Sequence, residues 1–407
     1  MIITNATIIL PDTVVNNGTL VCRDGKIDAV IGRAATATVY DVLPQSPLLQ
    51  DDEIIDAAGY YVAPGFIDIH THGGGGADYM DNTVEAYLQA AKTHAAHGTT
   101  ALLATTIAGS QEELFGSLKT YHRAKANPLN RNGSQFLGIH LEGPYFSYEQ
   151  RGAQDPKYLR NPEPKEYEAI LDASDEIVRW SLAPELPGAL AMGRHLESMN
   201  ILPAIAHSNA TYEEVLKAFD VGFRHVTHLY SAMSTIVRRN SYRIAGVLEA
   251  AYLIDGMTVE IIADGKHLPK SLLQYVYKFK GAENTALCTD SMRAAGYDCT
   301  ETCIGSLTNG QRVIIDDGVA KMPDKSCFAG SIATADRLVR TMVEIAETPI
   351  VDAVRMMTLT PAEIIECDDC KGAISQGMDA DLVIFDEHIN IQRTIIGGRT
   401  VYQRIKA

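Results

Sequence analysis

Pro64-Gly65-Phe66-Ile67-Asp68-Ile69-His70-Thr71-His72-Gly73-Gly74-Gly75-Gly76 is an apolar run that ends in two histidines and four glycines. Side chains alternate across a strand, so His70 and His72 leave on the same face, close enough to share one metal ion. The glycines let the backbone turn sharply and leave the histidines facing open space. The spacing predicts a metal site at the carboxyl end of a strand, and that reading stands or falls on further ligands at comparable strand ends.

Outward from this stretch, eight short apolar strands can be counted, near 66–70, 99–105, 136–141, 178–183, 202–206, 224–228, 258–263 and 285–289. Helical stretches lie between them, such as 84–97, which stops at Gly98, and 212–219, where Thr211 can cap the start. Eight strand-helix units predict an α/β fold, a (β/α)8 TIM-type barrel with a parallel sheet. A doubly wound open sheet is the alternative, and it would scatter polar strand ends along a crevice. The two chain ends instead show alternating strand patterns and turn signals such as Asp24-Gly25. They predict a small β-sandwich domain built from 1–62 and 371–407 around a barrel catalytic domain of 63–370.

The chain has 407 residues, 46% of them hydrophobic and 21% charged, which supplies a large core and no signature of disorder. Its net charge of -16 repels phosphodiester backbones and anionic lipid, so nucleic-acid and membrane partners are not expected. An anionic substrate would need a local basic patch. Met1-Ile2-Ile3-Thr4-Asn5-Ala6 lacks the basic start and apolar stretch of a signal peptide, which points to a cytoplasmic protein. Seven cysteines, including Cys367-x-x-Cys370, suit reduced thiols better than a disulfide framework.

Catalytic groups of a barrel stand at the carboxyl ends of several strands. Here those ends carry His70 and His72 (first), Glu142 (third), His207 (fifth), His228 (sixth), Asp264 to His267 (seventh) and Asp290 (eighth). His140 and His225 are expected to be structural or to support the ligands, and His94, His97, His122, His195 and His388 to face solvent or cap helices. Imidazole and carboxylate donors suit Zn, Fe, Co or Mn. Such an ion lowers the pKa of bound water from 15.7 to about 7 and polarises a carbonyl, which is hydrolytic chemistry by a metal-bound hydroxide. Asp290 is placed to take the water proton and return it to a departing nitrogen, a contribution of typically 10² to 10⁴.

His140-Leu141-Glu142-Gly143-Pro144 and Thr227-His228-Leu229-Tyr230-Ser231-Ala232-Met233, with the opening stretch and Thr289-Asp290-Ser291-Met292, resemble the amidohydrolase superfamily. Within it they resemble the deacetylases of amino-sugar phosphates. The resemblance implies removal of acetate from N-acetyl-D-glucosamine 6-phosphate to give glucosamine 6-phosphate in amino-sugar catabolism, by a homodimer. It implies that Glu142, His207 and His228 hold the principal ion, that His70 and His72 provide for a second, and that Asp290 is the catalytic acid and base. Around the sugar it implies Ala153, Gln154, Ser231, Ala232, Asp264, His267, Phe328, Ala329 and Gly330, with Arg239 on the phosphate, often from a neighbouring subunit. Ser231 stands where asparagine is usual, Phe328 replaces a leucine, and Arg238 to Arg243 form an altered turn. These departures leave open the galactosamine epimer or another N-acyl amine as the substrate.

Overall fold

The computed structural model describes residues 1–33 and 53–404. Its centre is an eight-stranded parallel sheet of Phe66–Thr71, Thr99–Thr106, Gln135–Glu142, Ile177–Leu182, Leu202–Ile205, His225–Val226, Thr258–Ile261 and Thr285–Leu287, paired in chain order. The sheet closes just past its last strand, where Thr71 bridges Ser291 and the Asp290 N–H donates to the His70 carbonyl at 2.9 Å. The strands are buried on both faces, which is why they read as nearly continuous apolar runs. Helices Val84–Ala96 and Tyr212–Phe219 start on caps from Thr83 and Thr211, the second in a reciprocal box with Glu214.

Both chain ends contribute to a second sheet, ordered Arg399–Gln403, Ile391–Ile396, Leu382–Phe385, Tyr61–Pro64, Ile2–Ile9, Val14–Arg23, Lys26–Arg33. The expected small β domain is thus one continuous sheet. Two of its pairings, Ile2–Ile9 with Ile54–Asp56 and with Tyr61–Pro64, are parallel, and the rest are antiparallel. Ile3, Ile8, Leu20, Val62, Leu382 and Ile395 share its core, so neither end can bury its apolar face without the other. The domain call also covers 34–52 and 405–407, which lie outside the described residues.

Residues 349–365 form two helices, Ile350–Arg355 and Leu359–Ile364. Pro361 has no N–H to give and sits in the first turn of the second helix, where none is needed. After the eighth strand comes an antiparallel trio, Glu301–Ile304, Gln311–Asp316 and Val319–Lys321. It leads into Cys327 to Gly330.

His94 departs from its expectation: it is fully buried, not solvent-facing. Its Nε2 lies 3.0 Å from both the Gly73 carbonyl and Thr71 Oγ1, tying the first helix to the glycine loop. Burial pushes its pKa down from 6.5 to about 4, against the Gly73 hydrogen bond. The unfolded chain therefore takes up this proton first. Stability is complete above pH 6.5 and falls as the pH drops towards 4, by on the order of 3 kcal/mol for this group. Urea midpoints at pH 7 and pH 4.5 should differ less in His94→Gln than in the wild-type chain; equal differences would refute the assignment.

Candidate functional site

His70 and His72 leave the first strand as their spacing predicts, and the glycines complete a hairpin. Gly73–Gly74 pairs with Ala77–Asp78, while Gly75 and Gly76 turn the chain at φ +64° and +88°. At Gly73 a Cβ would meet the Ala77 carbonyl oxygen at 2.1 Å, so the close return needs glycine there. The other ligand candidates turn inward by a different device. His207, His228 and Asp290 adopt left-handed backbone, with φ of 45°, 31° and 46°, at the point where their strands end. Residues held in this costly region concentrate at functional sites.

Glu142 is the hub. Its Oε1 lies 3.1 Å from His228 Nε2, 3.4 Å from His207 Nε2 and 3.6 Å from His70 Nε2, and its Oε2 lies 3.6 Å from His72 Nε2. Asp290 Oδ1 approaches His72 Nε2 at 3.1 Å and His70 Nε2 at 3.5 Å. Two groupings result: Glu142, His207 and His228, and His70, His72 and Asp290, each with donor atoms within 4.8 Å of one another.

The donor chemistry fits a cation. The Nδ1–H groups of His70, His72 and His207 donate to Glu260 Oε1 (2.7 Å), the Thr105 carbonyl (3.3 Å) and the Gln150 carbonyl (2.8 Å), partners that only accept. Each Nε2 then turns a bare lone pair towards carboxylate oxygens. Acceptors facing acceptors in a buried site call for a cation between them. Ligands placed tetrahedrally at about 2.0–2.1 Å from an ion stand about 3.3 Å apart, which matches the observed spacing. Without an ion the same field draws protons: burial opposes charge on His72, but Asp290 and Glu142 lift its pKa to about 9. Burial would likewise raise Glu142 and Asp290, yet the surrounding histidines hold both below the usual carboxylate range.

Above these groups lies a cavity of about 300 Å³. Of the sequence-predicted residues it is lined by His72, Glu142, His207, His228, Asp290, Ala153, Gln154, Ser231, Ala232, His267, Phe328 and Gly330. Gln154 is first of all a partner of Glu142: its Nε2 donates to Oε2 at 2.8 Å, while the Ala108 N–H holds its carbonyl at 2.9 Å. Asp264 does not line the cavity; its carboxylate accepts from His267 Nδ1 at 3.0 Å and so sets that ring. Ala329 is buried behind the wall. Arg239 is not brought to the cavity of its own chain: it stands exposed on the hairpin Val237–Arg239 and Tyr242–Ile244.

Sequence reading passed over the apolar wall of Ile107, Ile262 and Ile304, and the buried pair Arg179 and Glu260 beneath the histidines. The pair did leave a signal. Each is a lone charge inside an apolar strand, but 81 residues separate them, and only the barrel shows that they meet. His140 and His225 fall in the same buried layer as supports: His140 Nε2 contacts Ser181 Oγ at 2.7 Å and His225 Nδ1 contacts Thr258 Oγ1 at 2.8 Å. All seven cysteines are free.

The chain resembles known proteins along nearly its whole length. It is 33% identical to an N-acetylglucosamine-6-phosphate deacetylase of Lysinibacillus sphaericus over 85% of this chain and 86% of that protein. It is 30% identical to an N-acetylgalactosamine-6-phosphate deacetylase of Escherichia coli over 93% of this chain and 97% of that one. The crystal structure of N-acetylglucosamine-6-phosphate deacetylase from Pasteurella multocida matches with a TM-score of 0.87 at 27% identity, covering 99% of both chains. Residues 61–401 match the family model of the Amidohydrolase family, so barrel, ligand cluster and sequence agree, and the chain belongs to that family.

Proposed function

We propose that the chain is a metal-dependent hydrolase that removes acetate from N-acetyl-D-glucosamine 6-phosphate, giving glucosamine 6-phosphate. The observation that carries this reading is the cluster of four histidine nitrogens around Glu142, those of His70, His72 and His207 bare, with Asp290 beside it beneath a cavity. Glu142, His207 and His228 would hold the principal ion and His70 and His72 a second, with Zn, Fe, Co or Mn suited to the donors. A bound ion supplies Lewis acidity, polarising the amide carbonyl and making water a stronger acid. Asp290 takes a proton from the attacking water and delivers it to the nitrogen as the C–N bond breaks, so acetate and a free amine leave. Ile107, Ile262 and Ile304 form an apolar wall that suits the acetyl methyl.

His267, fixed by Asp264, is assigned to the sugar phosphate. Arg239 on its exposed hairpin is assigned to the phosphate in a neighbouring subunit of a homodimer. Among the described residues no helix is long and apolar enough to cross a membrane; a cytoplasmic setting is part of this proposal. The galactosamine epimer is a second reading, favoured by Ser231 in the cavity lining and by the Escherichia coli relative.

Acetate release from both N-acetylated 6-phosphates and from the unphosphorylated sugars, on protein of assayed metal content, tests the proposal. The phosphorylated glucosamine derivative should exceed its unphosphorylated form in kcat/KM by about 10²-fold, equal to about 2.7 kcal/mol. Equal turnover would refute the phosphate assignments, and a higher kcat/KM for the galactosamine derivative would select the second reading.

A further inference from the structure

Glu260 lies at the centre of the barrel, fully buried, and touches both groupings of candidate ligands. Its Oε1 accepts from His70 Nδ1 at 2.7 Å and from the His228 backbone N–H at 3.3 Å. Arg179 braces the carboxylate from below, with Nη1 on Oε2 at 2.6 Å and Nη2 on Oε1 at 3.0 Å. Arg179 is braced in turn by the Ile69 carbonyl and by Thr227 Oγ1, the neighbours of His70 and His228 in sequence. His225 Nε2 stands 3.4 Å from Oε2.

We infer that Glu260, braced by Arg179, is a positioning residue that sets the ring of His70 and keeps its Nε2 free for a metal ion. The inference rests on the proposed reading of the histidines as ligands. With Nδ1–H committed to Glu260, the proton is kept off the nitrogen that faces Glu142 and Asp290. The short contact also fixes the plane of the ring. Carboxylates that hold a ligating histidine this way typically matter 10- to 100-fold in metal affinity. Because Arg179 fills both oxygens of Glu260 with donors, the carboxylate itself is not free to bind an ion, although His70, Glu260 and Cys288 lie close enough together to suggest it.

The test is zinc titration of metal-stripped full-length protein. Glu260→Gln should weaken zinc binding about 10- to 100-fold, because an amide must turn its NH2 either onto Arg179 or onto the His70 N–H. In a His70→Asn background the same change should cost less than about three-fold, since a residue that acts through His70 has nothing left to act on. Should Glu260→Gln not fold, the pair Arg179→Met with Glu260→Met carries the same comparison without an unpaired buried charge. Wild-type zinc affinity in the Glu260 variants, or an equal loss in both backgrounds, would overturn the inference. A wild-type chain that takes up no zinc would instead overturn the ligand reading beneath it.

Discussion

Asp290→Asn should lower kcat by about 10² to 10⁴ while the ion assigned to Glu142, His207 and His228 in the proposed function stays bound. The amide is the same size and still accepts through one oxygen, so the left-handed turn and the wall at Gly330 need not move. A Cβ on Gly330 would stand 3.0 Å from the Asp290 carbonyl oxygen, which shows how tightly this loop is packed. What disappears is the oxygen that can take a proton from water and pass it to nitrogen. Of the candidate histidine ligands Asp290 approaches His70 and His72, at 3.5 and 3.1 Å, and it does not belong to the grouping around Glu142. Acetate release measured beside metal content therefore separates the two roles. Loss of all metal along with activity would make Asp290 a ligand first and would sink its assignment as acid and base.

Glu142→Gln should behave in the opposite way, losing metal and activity together by 10³-fold or more, equal to about 4 kcal/mol. The reason is the arrangement of lone pairs. Gln154 donates to Glu142 Oε2, so an amide at 142 would put its oxygen there and turn its NH2 towards the His207 and His228 nitrogens. Its two N–H groups then give the His207 and His228 nitrogens hydrogen bonds in place of a cation, while His70 and His72 keep Asp290 as their neighbour. The metal-free variant should accordingly unfold at a temperature no lower than metal-free wild type, while binding little metal. Metal content near wild type in Glu142→Gln would show that the carboxylate is not the hub.

The barrel was legible because each strand is a short apolar run bounded by turn residues, and that length and those boundaries separate such runs from the longer, capped helices between them. His70 and His72 were legible for the same local reason, since alternation puts them on one face. The chain-end domain was harder. Its outer strands read clearly, but the parallel pairing of Ile2–Ile9 with Tyr61–Pro64 joins segments whose order along the chain says nothing about their neighbours in the sheet. His94 looked like a helix-surface residue because its helix has weakly sided polarity. Packing against the glycine hairpin buries it.

By itself the sequence determined which side chains reach the carboxyl ends of the strands, because strand alternation and strand length are local properties of the chain. Only the tertiary structure decided how those side chains work together. The left-handed turns aim His207 and His228 at Glu142 and Asp290 at His70 and His72, and the pairing of Arg179 with Glu260 across 81 residues supplies the acceptor that His70 needs. Gln154, which lines the cavity as expected, also supports Glu142, while Asp264 stands outside the cavity and supports His267. A buried polar group takes whichever partner the closed barrel brings within about 3 Å, and no local pattern in the chain records that partner.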